Sequence, residues 1–132
     1  MREIKFRCWV VRDSEDDEEV IPYMGDMREV ESYINPFEEQ RKGNIILMQW
    51  TGLTDRNGVD VYEGDVVALD SNGVERYQHG VVCYDSCQAK YKSVPPITYK
   101  TNAGNGGWTG YELRHYCEVI GNIYENPELI NS

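Results

Sequence analysis

Residues 48–67, MQWTGLTDRNGVDVYEGDVV, constrain the fold more than any other part of the chain. The stretch opens with apolar residues typical of a buried strand. Asn57-Gly58 then supplies the positive φ angles of a tight reversal. A short connection leads to Gly64-Asp65, where a second apolar strand begins. The pattern predicts one core strand before the turn and a second core strand after it.

Short apolar segments separated by turn residues extend this β pattern along the chain. Apolar and polar residues alternate along residues 4–11, which predicts a half-buried strand. Further strands are expected at residues 80–84 and 117–124. Gly121, inside the last of these, predicts a bulge or a close approach of backbones. The pattern is typical of a mainly β fold, a small SH3-like β-barrel with an N-terminal β extension and little helix.

The chain has 132 residues, the size of one domain. We expect residues 1–44 to form the N-terminal extension, 45–126 the barrel core and 127–132 a tail. Within the extension, the acidic residues 13–19 predict a solvated loop tip, and residues 37–44 predict a polar loop. Glycine-rich residues 101–110 predict a mobile loop that presents Trp108.

Three segments carry a family resemblance. REIKFRCWV near the start, LMQWTGLTDRNGVDVYEGDVV in the centre and EVIGNIYENPELI near the end are similar to the YopX family of phage and prophage proteins. The resemblance implies a small, mainly β, cytoplasmic protein of bacterial or phage origin. It supplies no catalytic residues. We expect a structural role for the residues that define these motifs: Gly52, Asn57, Gly58, Gly64, Asp65, Gly121, Asn122 and Pro127.

Charge and hydropathy narrow the class of partner and the compartment. A net charge of −10 argues against binding of duplex nucleic acid, which is bound by neutralising phosphates with Lys and Arg. No segment approaches the roughly 20 apolar residues of a membrane span, and the N-terminus lacks a secretory signal. We therefore expect no membrane contact and a cytoplasmic location, with the four cysteines as reduced thiols.

Catalytic and metal-binding patterns are weak. The cysteines and histidines do not form the paired knuckle of a zinc site, so no metal and no other cofactor is expected. Asp60, Glu63 and Asp65 cluster in sequence, and their convergence would support a metal-dependent hydrolase. Aspartates beside a turn more often stabilise the turn itself. The chain has neither a nucleophile elbow nor a phosphate-binding loop, so no catalytic residue is assigned.

Tyrosine and tryptophan, ten and three in number, favour an interaction surface, which we place at Trp9, Trp50, Tyr62 and Trp108. The leading hypothesis is an accessory protein of phage or prophage type that acts as a non-catalytic protein-interaction module. Its protein partner is unknown, and exposed strand edges would allow a homo-oligomer.

Two alternatives stay open at this point. One is a role related to nucleic acid. It takes the form of single-strand binding on stacked aromatic side chains, or of an acidic decoy that imitates DNA. Single-strand binding would need a basic track, for which the candidates are Lys90, Lys92, Lys100 and Arg114. The other alternative is the metal-dependent hydrolase.

Overall fold

The computed structural model describes residues 3–11, 22–26, 35–69, 78–101, 107–113 and 117–131. The chain falls into two compact units, Met1–Trp50 and Thr51–Ser132, and the boundary lies inside strand β3 (Ile45–Thr54). Our expected boundary, between residues 44 and 45, precedes the same strand. The predicted acidic loop tip at residues 13–19 lies outside the described residues.

The first unit is built on an antiparallel sheet. Strand β1 (Phe6–Val10) lies between β2 (Tyr23–Asp26) and the first half of β3. Alternation along these strands brings Cys8, Val10 and Ile45 to one face, where Leu47 packs against them. The strand predicted from the alternating pattern at residues 4–11 is confirmed.

The prediction of a polar loop at residues 37–44 is wrong, because helix α1 (Pro36–Arg41) occupies most of this segment. Asn35 caps the helix, and its Oδ1 accepts hydrogen bonds from the backbone N–H groups of Phe37 and Glu38 at 3.2 and 3.4 Å. Pro36 occupies the first turn, where a missing N–H costs nothing. The proline therefore lies at the start of a helix.

The second unit contains the end of β3, its sheet neighbour β4 (Asp60–Tyr62) and a five-stranded antiparallel sheet. The strand order in the larger sheet is β8-β7-β6-β5-β9. The bounds of these strands are Asp65–Leu69 (β5), Gln78–Asp85 (β6), Lys90–Val94 (β7), Tyr111–Glu112 (β8) and Glu118–Asn122 (β9). Helix α2 (Pro96–Thr101) follows β7, and a 3-10 turn (Pro127–Leu129) follows β9.

Each face of the five-stranded sheet carries its own apolar cluster. The first cluster includes Val61, Val67, Val82, Leu113 and Cys117. The second includes Val66, Val81, Cys83, Val94 and Ile130. Because neighbouring residues of one strand supply opposite clusters, β5 and the middle of β6 consist of continuous apolar residues, 66–69 and 81–83.

The mainly β, small barrel-like fold with little helix is confirmed, since both helices within the described residues are only six residues long.

Candidate functional site

Three tyrosines lie on one face of the five-stranded sheet. Tyr84 of β6 is the Cα partner of Tyr91 of β7, and their rings meet edge to face with centroids 5.1 Å apart. Tyr111 of β8 is opposite Ser93, two residues further along β7, so it points to the same side. We call Tyr84, Tyr91 and Tyr111 the tyrosine rim.

The tyrosine rim joins buried core to exposed surface. Tyr91 packs against the first apolar cluster, whereas Tyr84 and Tyr111 have exposed fractions of 43% and 53%. A half-exposed tyrosine offers a large apolar ring together with a polar hydroxyl, and such residues are enriched at protein interfaces. Two such side chains flank a third whose ring is already fixed by the core.

The tyrosine rim borders a sheet edge. Strand β8 stands at the end of the sheet order, and both of its residues, Tyr111 and Glu112, are exposed. Gly110, just before β8, runs so close to β7 that a Cβ there would lie 2.6 Å from the carbonyl oxygen of Ser93. The backbone before β8 is thus tightly packed against β7, and glycine is required for this approach.

A buried carboxylate fixes the end of this sheet. Asp85 is the last residue of β6 and is 2% exposed. Its Oδ1 accepts hydrogen bonds from the backbone N–H groups of Cys87 and Gln88 at 2.9 and 3.0 Å, which closes the turn between β6 and β7. Its Oδ2 accepts from Lys92 Nζ at 2.7 Å and from the N–H of Trp108 at 3.0 Å.

Lys92 completes this arrangement, which joins three parts of the chain. Its Nζ also donates to the carbonyl oxygen of Trp108 at 2.7 Å, so Asp85 and Lys92 together bind both backbone groups of that residue. The hydrogen bond from Lys92, followed by that from Trp108, holds the pKa of the Asp85 carboxyl far below its usual range, although burial acts in the opposite direction. The Asp85 carboxyl is therefore ionised at neutral pH, and its hydrogen bonds, with those of Lys92, tie the turn, β7 and the segment before β8 into one unit.

Both the backbone and the ring of Trp108 make contacts within the second unit. Its ring stacks on Tyr99 of α2 with centroids 5.7 Å apart and an angle of 17° between the planes, and both rings pack against the second apolar cluster. Sequence reasoning placed Trp108 on a mobile loop. Residues 102–106 of that loop lie outside the described residues, while residues 107–110 are described and Trp108 is half-buried.

The other three aromatic side chains of the predicted surface are distributed over the two units. Trp9 and Trp50 belong to the first unit and share one face of its sheet, since Trp9 is paired with Ile46, four residues before Trp50. Lys5 Nζ lies 4.1 Å from the centroid of the Trp50 ring, a cation–π contact. Tyr62 lies in β4 of the second unit, whereas Trp108 lies in the segment before β8. The structure therefore does not collect the four residues of the predicted surface within one unit.

The residues of the central motif determine backbone geometry. Gly52, Gly58 and Gly64 have φ angles of 90°, 80° and 84°, which side chains rarely tolerate. Asn57 donates its backbone N–H to Asp55 Oδ1 at 2.9 Å, within the turn between β3 and β4. Asp65 is buried and accepts from the backbone N–H of Tyr62 at 2.8 Å, across the turn that enters β5.

The residues of the C-terminal motif also determine backbone geometry. A Cβ on Gly121 would lie 2.6 Å from Asn126 Oδ1, and the pairing of β9 with β5 shifts register at the same place. Asn122 Oδ1 accepts from the N–H groups of Tyr124 and Glu125 at 3.0 and 2.8 Å, which fixes the turn after β9. Pro127 opens the 3-10 turn.

The acids proposed for a hydrolase do not form a metal site. Within the described ranges, which contain Asp60, Glu63 and Asp65, no group of three or more His, Cys, Asp or Glu side chains is placed to hold a metal ion. Asp55, an acid of the turn between β3 and β4 that was not part of that set, is buried and accepts hydrogen bonds from the backbone N–H groups of Asn57, Val59 and Val119, each at 2.9 Å. Burial raises its pKa, but these hydrogen bonds outweigh burial and leave the pKa below its ordinary value.

The four cysteines are free thiols. Cys8, Cys83 and Cys117 are buried, and Cys87 is exposed in the turn between β6 and β7. Burial, with a smaller contribution from the charge of Glu63, raises the pKa of Cys83 to about 12. A thiol in this state is not a nucleophile at neutral pH.

The YopX protein family model matches residues 5–131 of this chain. The chain belongs to the YopX family. The crystal structure of protein EF1440 from Enterococcus faecalis is similar to this YopX-family chain at a TM-score of 0.54, with 21% sequence identity over 98% of this chain and 99% of that one. At this identity the likeness concerns the fold alone. No curated protein matches the chain in sequence.

The family resemblance inferred from three sequence segments is thereby confirmed. None of the helices in the described ranges has the length and apolar character that a membrane span requires.

Sequence reasoning on this YopX-family chain missed the tyrosine rim and the residues that support it. Tyr84, Tyr91 and Tyr111 are far apart in sequence, and only the register of three strands brings them together. One local signal was available, because Tyr84 and Tyr91 stand at equal distances from the centre of the turn at residues 86–89. The partnership of Asp85 with Trp108, 23 residues away, has no comparable signal.

Proposed function

We propose that this YopX-family chain is a non-catalytic module that binds a protein partner through the tyrosine rim. The observation that carries the proposal is the shared exposure of Tyr84 and Tyr111 on one sheet face, on either side of the core-packed Tyr91. Interface energy is usually concentrated in a few aromatic or arginine side chains surrounded by weaker contacts. Two exposed tyrosines beside a rigid third match that distribution.

The support beneath the tyrosine rim favours binding without rearrangement. The Asp85–Lys92 ion pair fixes the end of β6, the middle of β7 and the segment that leads into β8, so it lies next to Tyr84 and Tyr91 in sequence and three residues before Tyr111. A surface that is ordered before binding loses less conformational entropy when a partner docks. This order is therefore favourable for binding a partner.

The setting of the protein is part of the same proposal. Membership of the YopX family supports an origin in a phage or prophage. The four free thiols support a reducing compartment, the bacterial cytoplasm, because cysteines in oxidising compartments are usually paired. A homo-oligomer formed through a sheet edge is one form that the interaction takes in this proposal.

The test compares tagged wild-type protein with the double variant Tyr84→Ser/Tyr111→Ser in bacteria that carry the gene. Ile97→Ser is the matched control, since Ile97 is 73% exposed on α2 and lies outside the tyrosine rim. Proteins captured by wild type and by the control, but lost from the double variant, are then purified and titrated. Each tyrosine should contribute roughly tenfold in Kd.

The proposal fails if the double variant retains every partner, provided that its circular dichroism matches wild type. Gel filtration of the same three proteins separates self-association from binding to another protein. A dimer in wild type and in the control, but a monomer in the double variant, would identify the partner as a second copy of the chain.

A further inference from the structure

The turn between β3 and β4 contains an Asn-Gly pair, in which a backbone nitrogen stands next to an amide side chain with which it can react. We infer that Asn57-Gly58 is a deamidation site that the folded turn keeps closed, and that the buried side chain of Asp55 controls how often the site opens. The reaction needs only water. It converts the amide of Asn57 into a carboxylate, so the modified turn carries an additional negative charge.

The chemistry is intramolecular. The backbone nitrogen of Gly58 loses its proton to a solvent base and attacks Cγ of Asn57. A new C–N bond forms, the bond from Cγ to the side-chain nitrogen breaks, and ammonia leaves behind a cyclic imide. Water then opens the imide at one of its two carbonyl groups, which leaves aspartate or isoaspartate at position 57. Glycine favours the attack because it has no side chain to obstruct its nitrogen.

The group that is attacked is accessible. Asn57 and Gly58 are both exposed, and a Cβ added to Gly58 would meet no atom within 4 Å. The Asn57 side chain makes no hydrogen bond to another residue in the described part of the chain. The side-chain carbonyl carbon is therefore open to water and to a nucleophile, and protection has to come from the nitrogen of Gly58.

That nitrogen is held by the turn. The N–H of Gly58 donates to the carbonyl oxygen of Asp55 at 3.0 Å, and the φ angle of Gly58 is 80°. Attack requires loss of this proton and rotation of the peptide group towards the Asn57 side chain, so the hydrogen bond has to break first. The reaction therefore proceeds from an open state of the turn, whose population is set by the stability of the closed state.

The hydrogen bonds around Gly58 make this opening cooperative. Every backbone N–H from residue 55 to residue 59 donates to an acceptor at 2.8 to 3.0 Å. Asp55 is the acceptor for the N–H groups of Asn57, Gly58 and Val59, and it donates its own N–H to the carbonyl oxygen of Val59. Gly58 is therefore not released without loss of the surrounding bonds.

Asp55 also ties the turn to strand β9. Its Oδ2 accepts from the N–H of Val119, 64 residues later in the chain, at 2.9 Å. Beside it, Arg56 donates its N–H to the carbonyl oxygen of Cys117 at 3.0 Å. Because one carboxylate, 5% exposed, carries hydrogen bonds both within the turn and to β9, its removal should open the turn.

The test follows deamidation at position 57 by peptide mass spectrometry, with full-length protein incubated in mildly alkaline buffer with and without urea. The native rate of wild type should be at least about tenfold below its rate in urea. Asp55→Ala should raise the native rate about tenfold and leave the rate in urea unchanged. Asp55→Asn keeps one acceptor oxygen and is the milder variant, which should raise the native rate less and serves if Asp55→Ala does not fold.

Two controls separate local opening from other causes. Gly80→Ala places a methyl group against Ser93, away from the turn, and should leave the native rate within about twofold of wild type. Hydrogen exchange of the Gly58 amide should accelerate in the Asp55 variants in parallel with deamidation. The pairs Asn72-Gly73 and Asn105-Gly106 are references in urea, where all three pairs should react at similar rates.

Deamidation of native wild type at the rate seen in urea would overturn the inference, as would Asp55 variants that react no faster than wild type. Equal acceleration by Gly80→Ala would also overturn it, because the reaction would then proceed from the globally unfolded chain. Faster deamidation without faster exchange of the Gly58 amide would contradict control through opening of the turn.

Discussion

Asp85 Oδ2 accepts a hydrogen bond from Lys92 Nζ at 2.7 Å, and both side chains are buried. Two charges removed from water are costly unless hydrogen bonds satisfy them. Here the carboxylate also receives three backbone N–H groups, and the ammonium also reaches the carbonyl oxygen of Trp108. The pair therefore acts as a junction for three chain segments. Its main role is to position the turn after β6, strand β7 and the segment of Trp108 relative to one another.

Replacing Lys92 by methionine should lower the free energy of unfolding by about 3 kcal/mol, at the lower end of the cost of removing one partner of a buried ion pair. Three backbone N–H groups still bind Asp85 in this variant. Asp85→Leu should be more destabilising, because it removes the acceptor for all of them and leaves the ammonium without its counter-charge. Urea denaturation of both variants tests this order. An equal loss of free energy of unfolding in the two variants, or a smaller loss for Asp85→Leu, would contradict the role of the pair as a junction.

Asp55 predicts a pH dependence. Because its pKa is lowered in the folded state, its contribution to stability is complete above the unfolded pKa of about 3.9 and is lost as the pH falls through the lower folded value. Asp55→Asn should cost roughly 1–3 kcal/mol at neutral pH, since the amide nitrogen cannot accept from the backbone. Urea denaturation from pH 7 to pH 3 should show a constant difference from wild type that shrinks below about pH 4. A difference that grows in acid would refute this account of Asp55.

Gly80 and Ser93 form a close-packed pair between β6 and β7. A Cβ on Gly80 would overlap Ser93 Oγ and approach Ser93 Cβ to 3.0 Å. Gly80→Ala should destabilise the protein by about 1–3 kcal/mol, because the core has no room for the added methyl group.

Ser93→Ala should have the opposite effect. Ser93 Oγ is buried with no hydrogen-bond partner among the described residues, so its removal should be neutral or stabilising by about 1 kcal/mol. In the double variant, Ser93→Ala should recover part of the loss caused by Gly80→Ala. Thermal or urea unfolding of the three proteins tests the coupling, and additive effects would show that the two sites are independent.

Thiol chemistry should distinguish the four cysteines. Cys87 is exposed, while Cys8, Cys83 and Cys117 are buried. At neutral pH a small alkylating reagent should modify Cys87 rapidly and the others only on unfolding. Mass spectrometry with Cys87→Ser as control tests this order, because that variant should lose the fast step. Rapid modification of Cys83 in the native protein would contradict its burial and its raised pKa.

Features that depend on neighbouring residues were predictable. The alternating pattern gave the first strand, and Asn57-Gly58 indicated the turn between β3 and β4, where Gly58 has a φ angle of 80°. Such features follow from backbone sterics and side-chain periodicity, which act over a few residues. Helix α1 could also have been predicted, because Asn35-Pro36 followed by Glu38 is a helix-start signal.

Features that depend on strand register were not predictable. The tyrosine rim requires Tyr84 to face Tyr91 and Tyr111 to face Ser93, and shifting a strand by one residue would point each tyrosine to the other face. Lys92 lies in a short strand with Lys90, and a lysine in such a strand is normally expected to be exposed to solvent. Its burial depends on Asp85 and Trp108, whose approach is a consequence of the whole sheet.

Site-specific photo-crosslinking tests the central claim most directly. A photoreactive phenylalanine analogue is placed at position 84, 111 or 97 in the tagged protein, in bacteria that carry the gene. We predict the same crosslinked partner from positions 84 and 111 and none from position 97, although Ile97 is the most exposed of the three residues replaced. Crosslinks from position 97 alone, or no crosslink from positions 84 and 111, would contradict a binding role for the tyrosine rim.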